Sequence, residues 1–202
     1  MKGTLTEHEG NVAALGTDAG LRQATIAVLR ECGWDGLTLE RVAEVAGRSR
    51  TTLWRQGVSR ESLLAALVGE LAEDFRRAMY PVLVSTGSGR DRLTLALDAL
   101  CDILDRHLPL MLATDEAFHQ EPAPGQPPHY LGPFYQFLRE GAADGSLSPG
   151  DDVERTADVL MNAVLWTYTH LRARHAWSTQ RAREAIFTLV LDGVTPRPQR
   201  KE

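Results

Sequence analysis

Cysteine is scarce: Cys32 and Cys101 are the only two among 202 residues, and they lie far apart in the chain. No apolar run approaches the roughly 18 residues that a membrane span requires. The opening stretch MKGTLTEHEGNVAALG also lacks the apolar segment of a secretory leader. These absences predict reduced thiols, a cytoplasmic location and no membrane partner. There is no internal repeat, and no alternating apolar/polar run of strand length. Neither H-E-x-x-H nor G-x-S-x-G occurs, so catalysis, a resident metal and a cofactor are not expected. An excess of positive charge is missing too: the formal net charge is −5 and the pI about 5.7. That excludes a general polyanion binder and confines any nucleic-acid role to a local patch. Residues 18–80 carry nine basic and nine acidic side chains, whereas residues 81–202 carry twelve against sixteen.

What the chain does have is helical periodicity. Leu21, Thr25, Val28, Leu29 and Cys32 share one face of a helix over about 18–33, ended by Gly33. Thr38 can cap a second helix whose apolar stripe is Leu39, Val42, Ala43 and Ala46, closed by Gly47. Ser49 can cap a short third helix centred on Leu53. Ser59 can open a longer fourth, with Leu63, Leu64, Leu67, Val68, Leu71 and Phe75 inward, broken at Pro81 and the STGSG run. Further helices are predicted over about 90–107, 133–144 and 151–176, the last opened by Asp151 and Glu154 at capping-box spacing. A final helix follows Ser178. The proline-rich EPAPGQPPHYLGP reads as a loop, and TPRPQRKE as a frayed tail. The predicted fold class is all-α.

The stretch GRSRTTLWRQGVSRESLL, from Gly47 to Leu64, stands out. Arg48, Arg50, Arg55 and Arg60 fall within thirteen residues, with no acid before Glu61. Two short helices joined at Gly47 have helix-turn-helix geometry, in which the first crosses the DNA backbone and the second enters the major groove. On the second, Arg50 can fork onto a guanine, and Thr51 and Thr52 can reach bases or phosphates. Arg48, Arg55 and Arg60 can neutralise phosphates. Only Leu53 is committed to the core. Trp54 has two readings: a packed core aromatic, or an indole N–H donating to a phosphate. The bland alternative for the whole stretch is a solvated basic face; glycine, caps, core pattern and charge agree against it.

Residues 18–71, and LTLERVAEVAGRSRTTLWRQGVSRESLLAAL above all, resemble the N-terminal signature of the tetracycline-repressor (TetR-like) family of transcription regulators. The resemblance rests on the glycine ending helix 1, the LT opening helix 2, VAEVAG, S-R-T-T-L-W-R and S-R-E-S-L-L. It implies a three-helix DNA-binding domain over 18–63 after a flexible arm (1–17). A helical ligand-binding and dimerisation domain would span 64–195, before a tail (196–202). It places Ser49, Arg50, Thr51, Thr52, Trp54 and Arg55 on the recognition helix, and Thr38 and Arg60 at caps and phosphate-facing positions. The chain departs from the family at Arg48, where a small apolar residue is usual. Trp54 replaces the usual tyrosine, and Gly57 stands where an aromatic normally plugs the gap between helices 3 and 4.

The expected function is therefore a sequence-specific transcriptional regulator, most often a repressor in this family, acting as a homodimer on a palindromic operator in double-stranded DNA. Cys101, Phe118, Phe134, Phe137 and Trp166 are the residues read as lining a ligand cavity, although each also fits an ordinary core. Met161, Tyr168, Ile186, Leu189 and Val190 are read as the dimer interface. Acidic side chains outnumber basic ones in the second half, so an apolar or cationic effector is expected, with Asp102, Asp105 and Glu116 able to face a cation. Glu116 and His119 have the i, i+3 spacing of di-iron bundles, but such sites need two such motifs. His170 and His175, five apart, lie off one helical face. Two alternatives remain: a helical metal-binding or enzymatic bundle built on residues 115–119, and an architectural DNA-binding protein without a ligand.

Overall fold

A computed structural model describes residues 18–113 and 130–195. Among these the regular structure is entirely helical, and no helix is long and apolar enough to cross a membrane. The expected all-α class is the one observed. The helices are α1 (Ala19–Cys32), α2 (Leu39–Val45), α3 (Arg50–Arg55), α4 (Arg60–Leu83), α5 (Gly89–Arg106), α6 (Leu108–Ala113), α7 (Gly132–Asp144), α8 (Val153–Ala173) and α9 (Thr179–Val194). The arm, the tail, and residues 114–129 with Asp115, Glu116, Phe118 and His119 lie outside the described residues.

Short polar side chains start these helices by satisfying amides that have no partner within the helix. The Leu21 amide donates to Asp18 at 3.0 Å, the Arg41 amide to Thr38 at 3.3 Å, and the Arg181 amide to Ser178 at 3.3 Å. Ser59 and Ser62 exchange hydrogen bonds at the head of α4, at 2.8 and 3.1 Å. Ser49 takes the N-cap position of α3, but its hydroxyl makes no capping bond. Two expectations are corrected. Asp152, not Asp151, caps α8 by accepting from the Arg155 amide at 2.9 Å, and the helix is the shorter for it. Pro81 does not break α4: it lies two residues before the end, so the missing N–H forfeits a single ladder bond in a turn that is ending anyway. The six-residue α6 was too short to leave a periodic signal.

The described residues divide into two compact units, 18–73 with 109–113, and 74–108 with 130–195. In the first, α1, α2, α3 and the first part of α4 enclose Leu21, Val28, Leu29, Leu37, Val42, Leu53, Val58, Leu63 and Leu67. Leu110 and Ala113 of α6 join the same core. Beyond residue 63, where the sequence places the domain boundary, Leu67 and the half-buried Leu71 also pack into the first unit's core.

In the second unit α5, α7, α8 and α9 pack together and bury Leu93, Leu97, Leu104, Phe134, Phe137, Met161, Val164 and Tyr168. The start of α5 meets α7 at backbone range. A Cβ on Gly89 would lie 2.1 Å from the Gly141 nitrogen and 2.4 Å from its Cα, so neither helix tolerates a side chain at Gly89 without moving. The approach is fastened by the Gly89 amide donating to Asp144 at 2.7 Å and the Arg90 amide to Ser146 at 3.1 Å.

Candidate nucleic-acid interface

α2 and α3 form the helix-turn-helix that the sequence predicts. The turn closes through the Gly47 amide donating to the Glu44 carbonyl at 3.1 Å and the Arg48 amide to the Ala43 carbonyl at 2.8 Å. Six residues are too few for a helix to persist alone, so tertiary contact must hold α3. Leu53, fully buried, is its only buried residue, and burying such a side chain stabilises by about 2 kcal/mol. Arg50, Thr51, Thr52, Trp54 and Arg55 are all exposed, as are Thr38 and Ser49 beside them. Trp54 is 68% exposed, which removes the core-packing reading of that side chain. At the end of α3, Gly57 adopts a φ of 73°, a left-handed conformation unfavourable to an aromatic residue. Val58, only 3% exposed, fills the neighbouring space instead.

The four arginines divide into different roles. Arg48 grips Asp18 with two hydrogen bonds, at 2.5 and 3.1 Å, tying the turn to the first residue before α1. The Leu21 amide, aided by the Arg48 guanidinium, holds the Asp18 carboxyl below the usual carboxylate range despite partial desolvation. Arg60 packs its guanidinium 3.7 Å from the centre of the Trp34 ring and donates to the Trp34 carbonyl at 2.7 Å. It therefore joins the head of α4 to the α1–α2 turn. Arg50 places Nε 2.5 Å from a Glu40 carboxylate oxygen, with both side chains more than half exposed. Arg55 is simply exposed.

Asp18, Trp34 and Glu40 were not singled out by sequence reasoning. Asp18 and Arg48 are 30 residues apart, and no local pattern joins them. Glu40 sits in the first turn of α2, where an acid is expected for helix polarity alone.

In the second unit the residues expected to line a cavity are mostly packed away. Cys101, Phe134 and Phe137 are fully buried and Trp166 is half-buried. Burial pushes the Cys101 thiol up to about 12. None of these lines the groove of about 710 Å³ between α5 and α9, where Arg90, Asp98, Arg183, Glu184, Phe187 and Leu191 meet. Asp102 and Asp105, expected to face a cation, already hold arginines: Arg183 donates to Asp102 at 2.5 Å and Arg172 to Asp105 at 2.7 Å. Asp105 also accepts from the Tyr168 hydroxyl at 2.8 Å and from Thr179 at 2.9 Å. Desolvation raises the Asp105 carboxyl, but these three donors outweigh it and leave it below its ordinary value. Asp98, more desolvated than its Arg183 partner can offset, lies above its own.

The residues expected at a dimer interface also divide. Met161, Tyr168 and Ile186 are buried within the subunit, whereas Leu189 is 77% exposed and Val190 half-buried. Val159 on α8, 63% exposed, joins Leu189 among the bare apolar side chains of the unit.

No family model and no curated protein matches the chain. Solved structures do. The ketosteroid transcriptional regulator KstR2 of Mycobacterium tuberculosis is similar at a TM-score of 0.70 and 19% identity, over 88% of this chain and 94% of that one. The transcriptional regulator FadR of Bacillus subtilis, in complex with stearoyl-CoA, is similar at 0.67 and 17%, over 86% and 97%. A TetR/AcrR-family regulator of Thermobifida fusca is similar at 0.62 and 21%, over 90% and 97%. At such identities the likeness is one of fold, and the chain has the fold of the TetR/AcrR-type transcriptional regulators.

Proposed function

We propose that this protein is a sequence-specific transcriptional regulator that reads a palindromic operator as a homodimer and responds to a small molecule. The observation that carries the reading is α3: a short helix anchored by Leu53 alone, presenting Arg50, Thr51, Thr52, Trp54 and Arg55 outward. A solvated helix has no use for an exposed tryptophan beside two arginines and two threonines, whereas groove recognition uses all five. Arg50 is the base reader. Its guanidinium pairs with Glu40 yet stays more than half exposed, where it can exchange that partner for a guanine edge. Ser49, Thr51, Thr52, Trp54 and Arg55 contact phosphates or neighbouring bases.

Dimerisation through the bare faces of α8 and α9 gives two recognition helices, and a two-fold protein requires a two-fold site. The effector is apolar or cationic. Asp98, Glu184 and Asp192 outnumber Arg90 and Arg183 around the groove, whose floor includes Phe187 and Leu191. The neighbour FadR was solved with stearoyl-CoA, which favours a ligand with a large apolar part. Release of DNA then follows from ligand favouring a dimer whose recognition helices no longer match successive grooves.

The test is selection of duplexes from a randomised pool with the purified protein, followed by titration of the recovered sequence. Enrichment of a palindrome, lost in Arg50→Ala, supports the reading. Binding without sequence preference would favour the architectural alternative and defeat it.

A further inference from the structure

His170 and His175 are five apart, and on a continuous helix they would point in different directions. The helix does not continue. α8 ends at Ala173 with Arg174 as its C-cap, and the following turn folds back. The Arg174 amide donates to the His170 carbonyl at 2.8 Å and the Trp177 amide to the Leu171 carbonyl at 3.1 Å. Ala176 completes the turn at a φ of 51°, the one non-glycine left-handed residue among those described. Before that reversal, where the helix is ending, the two imidazoles lie 5.0 Å apart between ring centres, inclined by 62°, with both residues exposed.

That spacing suits a shared metal ion. A metal–nitrogen bond of about 2.0–2.1 Å puts the ion about 3.2 Å from each ring centre, and a tetrahedral angle between two such ligands separates the centres by about 5.2 Å. The turn is also braced. Arg181 lies 3.9 Å from the centre of the Trp177 ring, and Arg172 donates to the Trp177 carbonyl. The charge of Arg172 is compensated by Asp105, and the carbonyl end of α8 favours a nearby cation.

We infer that His170 and His175 form a two-histidine site for a divalent transition metal ion that prefers imidazole, such as Zn²⁺ or Ni²⁺, rather than Mg²⁺ or Ca²⁺. No third His, Cys, Asp or Glu joins them among the described residues. Water, or the same pair from a second copy, completes the coordination, and the ion exchanges readily. The site is independent of the proposed DNA reading, so it stands or falls by metal binding alone.

The experiment is calorimetric titration of the full, tag-free chain with Ni²⁺ and Zn²⁺, with Mg²⁺ as the comparison. Wild type binds no more than one ion per chain at this site. His170→Ala and His175→Ala each weaken Ni²⁺ binding at least tenfold, and the double variant is no weaker than the singles. His170→Asn and His175→Asn, which keep a polar side chain of similar bulk, behave alike and guard against an effect of truncation on the turn. Copper-induced broadening of two histidine ring signals, absent from each variant, reports the same pair directly. Single variants that retain wild-type Ni²⁺ affinity, loss from only one of the two, or equal affinity for Mg²⁺ would overturn the assignment.

Discussion

Replacing Arg60 by alanine separates two roles that the sequence leaves combined. A phosphate-binding arginine should, on removal, weaken DNA binding at every sequence and reduce the salt dependence by about one unit. The geometry points elsewhere. The guanidinium donates to the Trp34 carbonyl at 2.7 Å and stacks 3.7 Å from the centre of its ring. A hydrogen bond from a charged donor is worth about 1.5–3 kcal/mol, and a cation–π contact about 0.5–2 kcal/mol according to desolvation. Arg60 is only half-buried, and its Nε is enclosed without a hydrogen-bond partner, which places both contributions near their lower ends. Arg60→Ala is therefore expected to destabilise the first unit by about 2 kcal/mol. Arg60→Lys should lose part of the same amount, since an ammonium keeps a cation for the ring and a donor for the carbonyl but lacks the planar guanidinium that meets both together. Urea denaturation followed by Trp34 fluorescence in a background lacking the other three tryptophans reads this directly. An unchanged midpoint in both variants, with the salt slope of operator binding reduced by one unit in Arg60→Ala alone, would refute the structural role and restore the phosphate contact.

Four further outcomes follow from contacts described above. Glu40→Gln should raise affinity for all duplexes by removing a negative charge, while lowering discrimination at the base pair Arg50 reads; gel-shift titration against single-base operator variants checks it, and intact discrimination would show that Glu40 does not orient Arg50. Gly89→Ala places a methyl carbon 2.1 Å from the Gly141 nitrogen and should cost about 3 kcal/mol as an overpacked contact, measured by urea midpoint. Leu189→Glu with Val159→Glu should yield monomers by light scattering and abolish operator binding, without loss of helical circular dichroism, because neither side chain is buried. Asp105 has a depressed carboxyl in the folded state, so its contribution is present above the ordinary carboxylate pKa and is lost as pH falls through the lower folded value. Acid denaturation of Asp105→Asn should accordingly lack that part of the acid limb.

Periodicity and caps were legible because they are local. Thr38, Ser59 and Ser178 act on amides three residues away, so sequence spacing is sufficient to find them. The short helix α3 was legible for a different reason: Leu53 alone holds it, and its other positions are free to carry arginines and hydroxyls. Pairings at long range were not legible. Arg48 with Asp18 and Arg60 with Trp34 depend on how three helices close, and a guanidinium beside hydroxyls reads equally as a phosphate ligand or a strut. The cavity was no more legible, since the buried Phe134 and Phe137 carry the same aromatic signal whether they line a space or fill it. The proximity of His170 and His175 was missed because helical spacing was applied past Ala173, where α8 ends.

The two cysteines fall one in each compact unit, and their surroundings differ sharply. Cys32 is half-buried, with the Arg41 guanidinium donating to its sulfur. Cys101 is fully enclosed, and burial pushes its thiol to about 12. An alkylating reagent at neutral pH thus reaches Cys101 only when the second unit opens. The chain consequently carries its own pair of kinetic reporters: the labelling rate at Cys101 measures how often the second unit breathes, and a molecule that seats there should slow it in proportion to its occupancy while leaving the rate at Cys32 as an internal clock.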